Sequence, residues 1–387
     1  MFKRSANNGE LPGPSMPLRV RIVAVLLGLG LSSLSVAQGA HDTFRALLRS
    51  VQEVRGEVIN DDLGNAEFDA IPFANEASTS RFLSQATFGA TQSDLSTLVG
   101  TSVSDWLLQQ FSEEPSDYLA ALDGYQAQLP FLIRNPWNRL ATTFAFWRHS
   151  ITGDDQLRQR MVYALSQILV ISNAGGDALT DYPEAVAYHQ SVLTEFGFGN
   201  YRNLLEAMTY SPGMGFYLTY MGNQKEDPET GRQPDENYAR EILQLFTMGL
   251  VALNDDGTLA GGVNDPDSSV ELYDNHDITG LAKVFTGLDR RVSRAETKNN
   301  PEAPEVLNSW REPMVVYPAK HAQNEKTFLG LTIPENTNAV DSITLALDQL
   351  MSVASVGPFL SRQLIQRFTT SNPSSAYISR VTQVFND

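Results

Sequence analysis

The chain has 387 residues, 42% hydrophobic and 19% charged, which is globular material with room for a large core. It contains no cysteine, so disulfides and thiolate metal sites are excluded. A formal net charge of −17 is the wrong sign for holding a phosphate backbone or an anionic lipid surface, and nucleic acid is not expected as a partner.

The first element is an address. Arg19 and Arg21 precede an apolar run from Ile22 to Leu34, and Ser35-Val36-Ala37 places small residues before a cut after Ala37. Residues 1–37 therefore read as a signal peptide, too short to span a bilayer and leaving no stable membrane span once removed. The expected location is exported: periplasmic, cell-surface or extracellular. Cleavage removes Lys3, Arg4, Arg19 and Arg21 against Glu10 alone, so the mature chain is more acidic still. Residues 38–77 have no sustained period and read as a flexible leader with one short helix over 43–54.

From Ser78 the period is helical almost throughout. Thr91 and Asp94 have capping-box spacing and Gly100 closes that helix. Trp137–Ile151 carries Leu140, Phe144 and Trp147 three or four residues apart. Asp154 and Asp155 open the next helix, with Leu157, Met161, Ala164, Leu165 and Ile168 as its stripe. Pro183 opens a helix that Gly197 ends, and Asn200 caps Tyr201–Thr209, which Ser211-Pro212-Gly213 stops. Val340–Met351, Gly357–Phe368 and Ser374–Phe385 read as three more helices, and Met314–Tyr317 as the best strand. The expected fold is mostly α, a multi-helix orthogonal or bundle-like domain over 78–387. One long loop-rich insertion is expected at about 253–320, where NDDGT, NDPDSS and KNNPEAPE are turn chemistry. The chain stops directly after an amphipathic helix, which is read as truncation at the C-terminal end.

One stretch concentrates charge before an apolar run: GRQPDENYARE, residues 231–241, followed by ILQLF. With Asp235 as N-cap and 100° per residue, Glu236, Asn237, Arg240, Glu241, Gln244, Thr247 and Met248 share one arc. Tyr238, Ala239, Ile242, Leu243, Leu245, Phe246, Gly249 and Leu250 fill the other. The stretch is either a capped, solvated helix start or one wall of a cleft. In the second case Glu236 and Glu241 are ligands or acid/base groups and Arg240 orients an anion.

No H-E-x-x-H, P-loop or G-x-S-x-G occurs. His149 ends a helix, where a cation suits the dipole, and His189 lies mid-helix. His276 and His321 flank the loop-rich stretch and, with Glu236 and Glu241, have the donor set of a zinc, iron or manganese site. A divalent metal is thus the one cofactor the residues suggest. NDDGT and NDPDSS are either calcium ligands or Asx-turns.

PDENYARE, LQLFTMGL and LNDDGT together resemble the signature of a bacterial exported domain-of-unknown-function family, number 1800. RFLSQATFGAT (81–91), LRQRMVYALSQILVIS (157–172), FGNYRNLLEAMTYSPGMGFYL (198–218), GNQKED (222–227) and DITGLAKVFTGL (277–288) fit the same family. So do HAQNEKTFLG (321–330) and FLSRQLIQRFTTSNPSSAYISRV (359–381). The resemblance implies a mostly helical fold and no particular activity. It marks Asn223, Lys225, Asp235, Glu236, Asn237, Arg240, Glu241, His321 and Lys326 as motif positions. It also implies an exported partner, since such proteins resemble ones encoded beside a second exported family, number 1501. The expected function is therefore an exported helical component acting with a separately encoded partner. The alternative is a metal-assisted hydrolase on the PDENYARE helix. Candidate catalytic residues are Glu236, Arg240, Glu241 and His321; candidate binding residues are Asn223, Asn237 and Lys326.

Overall fold

The computed structural model describes residues 73–128, 136–174, 178–261 and 270–386. The expected signal peptide over 1–37, the expected leader helix over 43–54 and the NDPDSS stretch lie outside these.

The helices begin where the caps stand. Asn75 and Ser78 form a reciprocal capping box at the start of α1 (Glu76–Ala86), and Thr91 and Asp94 form one at α2 (Gln92–Leu98). Then follow α3 (Val103–Ser112), α4 (Tyr118–Gln126), α5 (Pro136–Thr152) and α6 (Gln156–Ser166). Asp155 stands at the N-cap of α6, but its side chain does not cap. It is buried and accepts from Ser116 N at 2.9 Å, Ser116 Oγ at 2.6 Å and Gln159 Nε2 at 2.9 Å, pinning the α3–α4 loop instead. After the short α7 (Ala178–Asp181) comes α8 (Pro183–Phe196), which packs against α4, α5, α6, α9 (Tyr201–Thr209) and α10 (Pro212–Tyr217). Ala185 and Ala187 are fully buried in α8, and their small side chains let neighbours approach on several sides. Ser211-Pro212-Gly213 ends α9 as expected, but Pro212 also serves as the first residue of α10.

The PDENYARE stretch makes only α11 (Asn237–Glu241) and then winds into a π-helical turn, Ile242–Thr247. The stretch expected to be loop-rich holds α12 (Asn275–Val284), β1 (Leu288–Asp289), α13 (Arg294–Asn299), α14 (Pro304–Asn308) and β2 (Val315–Val316), spaced by turns. β1 and β2 pair antiparallel, with Leu288 opposite Val316, so the expected strand is formed. A hairpin follows, β3 (Lys326–Phe328) with β4 (Leu331–Ile333), before α15 (Ala339–Met351), α16 (Val356–Phe368) and α17 (Ser375–Asn386) close the fold. The fold is mostly α. Among the described residues no single helix is long and apolar enough to cross a membrane.

One large core joins α1, α3, α6, α9, α11, α12 and α15 to α17, and the predicted stripe Leu157, Met161, Ala164, Leu165 and Ile168 lies within it. Burying each such side chain contributes about 1.5–3 kcal/mol. A second cluster sets Trp310 against Tyr182, rings stacked at 5.0 Å. The NDDGT loop is an Asx-type turn: Asp256 Oδ1 accepts from Thr258 N and Oγ1, and Asn254 bonds Thr258 and Leu259.

Candidate functional site

The sequence motifs scattered from 219 to 329 meet in one place. The backbone around Tyr220 to Lys225 threads between three other segments. Asn223 bonds Asp235 in both directions, Nδ2 donating to Asp235 O at 3.2 Å and Oδ1 accepting from Asp235 N at 3.0 Å. Its own carbonyl accepts from Gly287 N, and Lys225 N donates to Lys320 O. Asp235 Oδ1 then accepts from Asn237 N at 2.9 Å and from Thr219 Oγ1 at 3.0 Å. Asp235 therefore does cap the helix start, as an Asx-turn, although the residue at the cap position is Glu236.

Glu236 is divided between two partners: Oε1 accepts from Thr279 Oγ1 on α12 at 2.8 Å, and Oε2 pairs with Arg240 at 3.4 Å. Both members of that pair remain partly exposed, 39% and 44% of their side chains, so the pair contributes little beyond about 0.5 kcal/mol. Beneath the helix, Tyr238 stacks on Tyr220 at 4.1 Å, and its hydroxyl meets Thr209 Oγ1 at 2.8 Å. Burial raises both phenols well above their ordinary range, so they stay neutral.

His321 and Lys326 sit deeper. Both are fully buried. His321 Nδ1 lies 2.9 Å from Thr286 O and 3.2 Å from Thr286 Oγ1; donation to the carbonyl fixes the tautomer, and the buried Nε2 has no close hydrogen-bond partner among the described residues. Burial lowers its pKa, with Thr286 pulling it back and Lys326 pushing it further down. Lys326, on β3, donates to Asn324 O at 3.3 Å. Burial, and then the charge of Lys283, lower its pKa, while Glu226 raises it. Glu226 accepts from Asn324 Nδ2 through one oxygen, and its other oxygen is buried and unpartnered. Gly280 makes this packing possible: a Cβ there would come within 1.9 Å of Thr327 O on β3.

The candidates from sequence therefore divide. Asn223, Glu236, Asn237 and Arg240 are joined at the helix start; His321 and Lys326 lie in the buried layer beside it. His276 is exposed at the start of α12, its backbone N–H capped by Asp274, and Glu241 is half-buried near Tyr273. The four-residue metal set Glu236, Glu241, His276 and His321 is not assembled. Among the described residues no three of His, Asp or Glu gather closely enough to hold a metal ion. His321 is turned inward to Thr286, and His276 outward to solvent. His149, expected as a cation at a helix end, is held below its ordinary pKa, first by burial, and is neutral at pH 7.

Sequence reasoning passed over Glu226, Thr279, Lys283, Thr286 and Asn324 although each lies inside a quoted motif, because none looked catalytic alone. In sequence only Glu226 adjoins a candidate, Lys225; the others meet theirs in space, Thr279 at Glu236, Thr286 at His321, and Lys283 and Asn324 at Lys326. The order and content of these motifs decide the family. A family model described as "Protein of unknown function (DUF1800)" matches residues 81–387. The chain belongs to this family. No curated protein and no solved structure matches it. The DUF1800 match takes in every segment of the clamp just described, from Thr219 to Leu329.

Proposed function

We propose that this chain is a non-catalytic helical component that is exported by residues 1–37 and acts with a separately encoded exported partner. What supports the reading is where the motif side chains spend their hydrogen bonds. The Asn223 side chain bonds both backbone groups of Asp235, the Asp235 carboxylate accepts from Thr219 and Asn237, Asn237 turns back to Thr219, Glu236 ties α11 to α12, and Lys326 and His321 bond neighbouring carbonyls. A general acid, base or metal ligand needs a reactive atom open to substrate. These groups instead hold four distant segments in register, which is what a rigid platform requires.

Two measurements test this. Produced together with the exported protein encoded beside its gene, the chain should co-elute with it as a complex of defined mass. Elemental analysis of the chain purified without chelator should show no stoichiometric transition metal. One equivalent of metal, lost in Glu241→Ala together with hydrolysis of an ester, phosphoester or peptide probe, overturns the reading in favour of the hydrolase alternative.

A further inference from the structure

Away from the clamp, α1, α2, α3 and the α5–α6 turn enclose an open cleft of about 630 Å³. Its wall combines apolar side chains, Phe88 and Ile151 among them, with hydroxyls, amides and the carboxylates of Asp94 and Asp154. Among the described residues no lysine, arginine or histidine lines it. Among the described residues neither carboxylate is in an ion pair. Asp94 spends Oδ2 on Thr91, leaving Oδ1 available, and among the described residues the Asp154 side chain has no hydrogen bond. Ser150 lines the same cleft; it is 1% exposed, and its hydroxyl has no partner among the described residues. The wall therefore offers acceptors and negative charge with no internal counterion.

Beside it runs an apolar stripe. Phe144, Trp147 and Ile151 stand at i, i+3 and i+7 on α5, and are 46%, 52% and 67% exposed. Three bulky side chains in one row, continuous with the cleft through Ile151, mark a contact surface rather than scattered exposure; exposed Arg148 stands on the same face beside Phe144, so the negative charge that selects a cation belongs to the cleft and not to the stripe. Arg160 lies 6.0 Å from the Phe88 ring and donates to Arg367 O, and among the described residues it forms no ion pair with either cleft carboxylate.

We propose that this surface is a docking site for a basic amphipathic segment of a partner protein, its apolar face on Phe144, Trp147 and Ile151 and its lysine or arginine groups at Asp94 and Asp154. Charge complementarity selects this occupant: the uncompensated carboxylates call for cations, and a chain of net charge −17 steers them in. A second copy would bring the same acidic surplus against the cleft. The inference rests on the partner reading above and names the chemistry of that partner.

The test uses the full chain and a fluorescent Leu/Lys peptide patterned as an amphipathic helix, with its Leu/Glu twin as control. The Leu/Lys peptide should bind, lose affinity with salt, and weaken at least about tenfold both for Asp94→Asn with Asp154→Asn and for Trp147→Ser. Glu302→Gln, an exposed acid outside the cleft, should change nothing. Equal binding of the Leu/Glu twin, or undiminished binding by the variants, overturns the proposal. So does displacement by spermidine at matched amine concentration, which would mark a free-amine site, or self-association that Trp147→Ser abolishes, which would mark a homodimer face. The two readings fail separately. Co-elution with the exported partner that survives the cleft variants sinks the docking site alone. Peptide binding at the cleft without co-elution sinks that exported partner alone.

Discussion

At the scale of single residues, the clamp depends on a few side chains whose loss leaves backbone groups bare. Asn223→Ala removes both bonds to Asp235 and, since water can replace them at this exposed site, should cost about 0.5–1.5 kcal/mol, read as a lower denaturation midpoint with an unchanged m-value. Gly280 tolerates no side chain, because α12 would have to move off β3. Gly280→Ala should cost about 1–3 kcal/mol or more by overpacking, enough to see in a thermal melt. His189 gives a pH prediction. Burial pushes its pKa down to about 4, and only the Leu169 backbone pulls it back. An unfolded chain takes up that proton near pH 6.5, before the folded chain does. Stability from this residue is therefore complete above about 6.5 and falls as pH drops towards 4, by up to about 1.4 kcal/mol per pH unit. Burial of His149 and His321 adds loss in the same direction. Replacing His189 with Met should make the acid side of the stability profile less steep, in chemical denaturation at pH 7.5 against pH 4.5; equal slopes would refute it. The identity of such residues was legible. Asn223 and Lys326 stand out as motif positions, but a histidine turned to a carbonyl is decided by a neighbour 35 residues away, and a buried lysine by groups as distant as Glu226.

At the scale of elements, the helix starts were readable because caps act within four residues. Thr91, Asn200 and Pro183 each stand where expected. The helical wheel of PDENYARE worked for its first turn and failed in its second. Thr247 and Met248, placed on the polar arc at 100° per residue, are fully buried, and Leu245, placed on the apolar arc, is 41% exposed. The π turn explains both. Met248 N donates to Leu243 O at 3.1 Å and Thr247 Oγ1 to Ile242 O at 2.6 Å, five residues back. More residues per revolution advance each side chain by less, so the later positions rotate towards the core. Deleting the exposed Leu245 should let this turn relax to α-helix while Phe246 to Met248 keep their places. The variant should retain a cooperative melt, whereas deleting Phe246, a buried anchor, should abolish it. The β3–β4 hairpin went unread for another reason. Its strands have three residues each, and its turn is Leu329-Gly330 at φ 47 and 74, type I′ angles without the usual Asn-Gly.

At the scale of the whole molecule, surface chemistry is divided. The motif residues are turned into a clamp around α11 and α12, and the open acidic cleft lies with α1, α2 and α5. The apolar spacing of α5 is visible in the sequence, but nothing in the spacing of Phe144 and Trp147 says whether another element covers them, and both are exposed. Trp147→Ser should therefore leave the melting midpoint within about 0.5 kcal/mol of the parent, as for a surface position. A core tryptophan would instead cost about 3–5 kcal/mol. A thermal melt separates the two.

Sequence by itself determined the helical class, most helix boundaries, the acidic character and the motif order that defines the DUF1800 match, because periodicity, caps and composition are local or additive. Only the tertiary structure decided that His276 and His321 diverge, that Lys326 is buried beside Glu226 and Lys283, and that Asp94, Ser150 and Asp154 share a cleft. Those facts depend on which segments meet. In this fold that depends on a glycine without a Cβ, a turn with an extra residue and an asparagine that bonds a backbone twelve positions away.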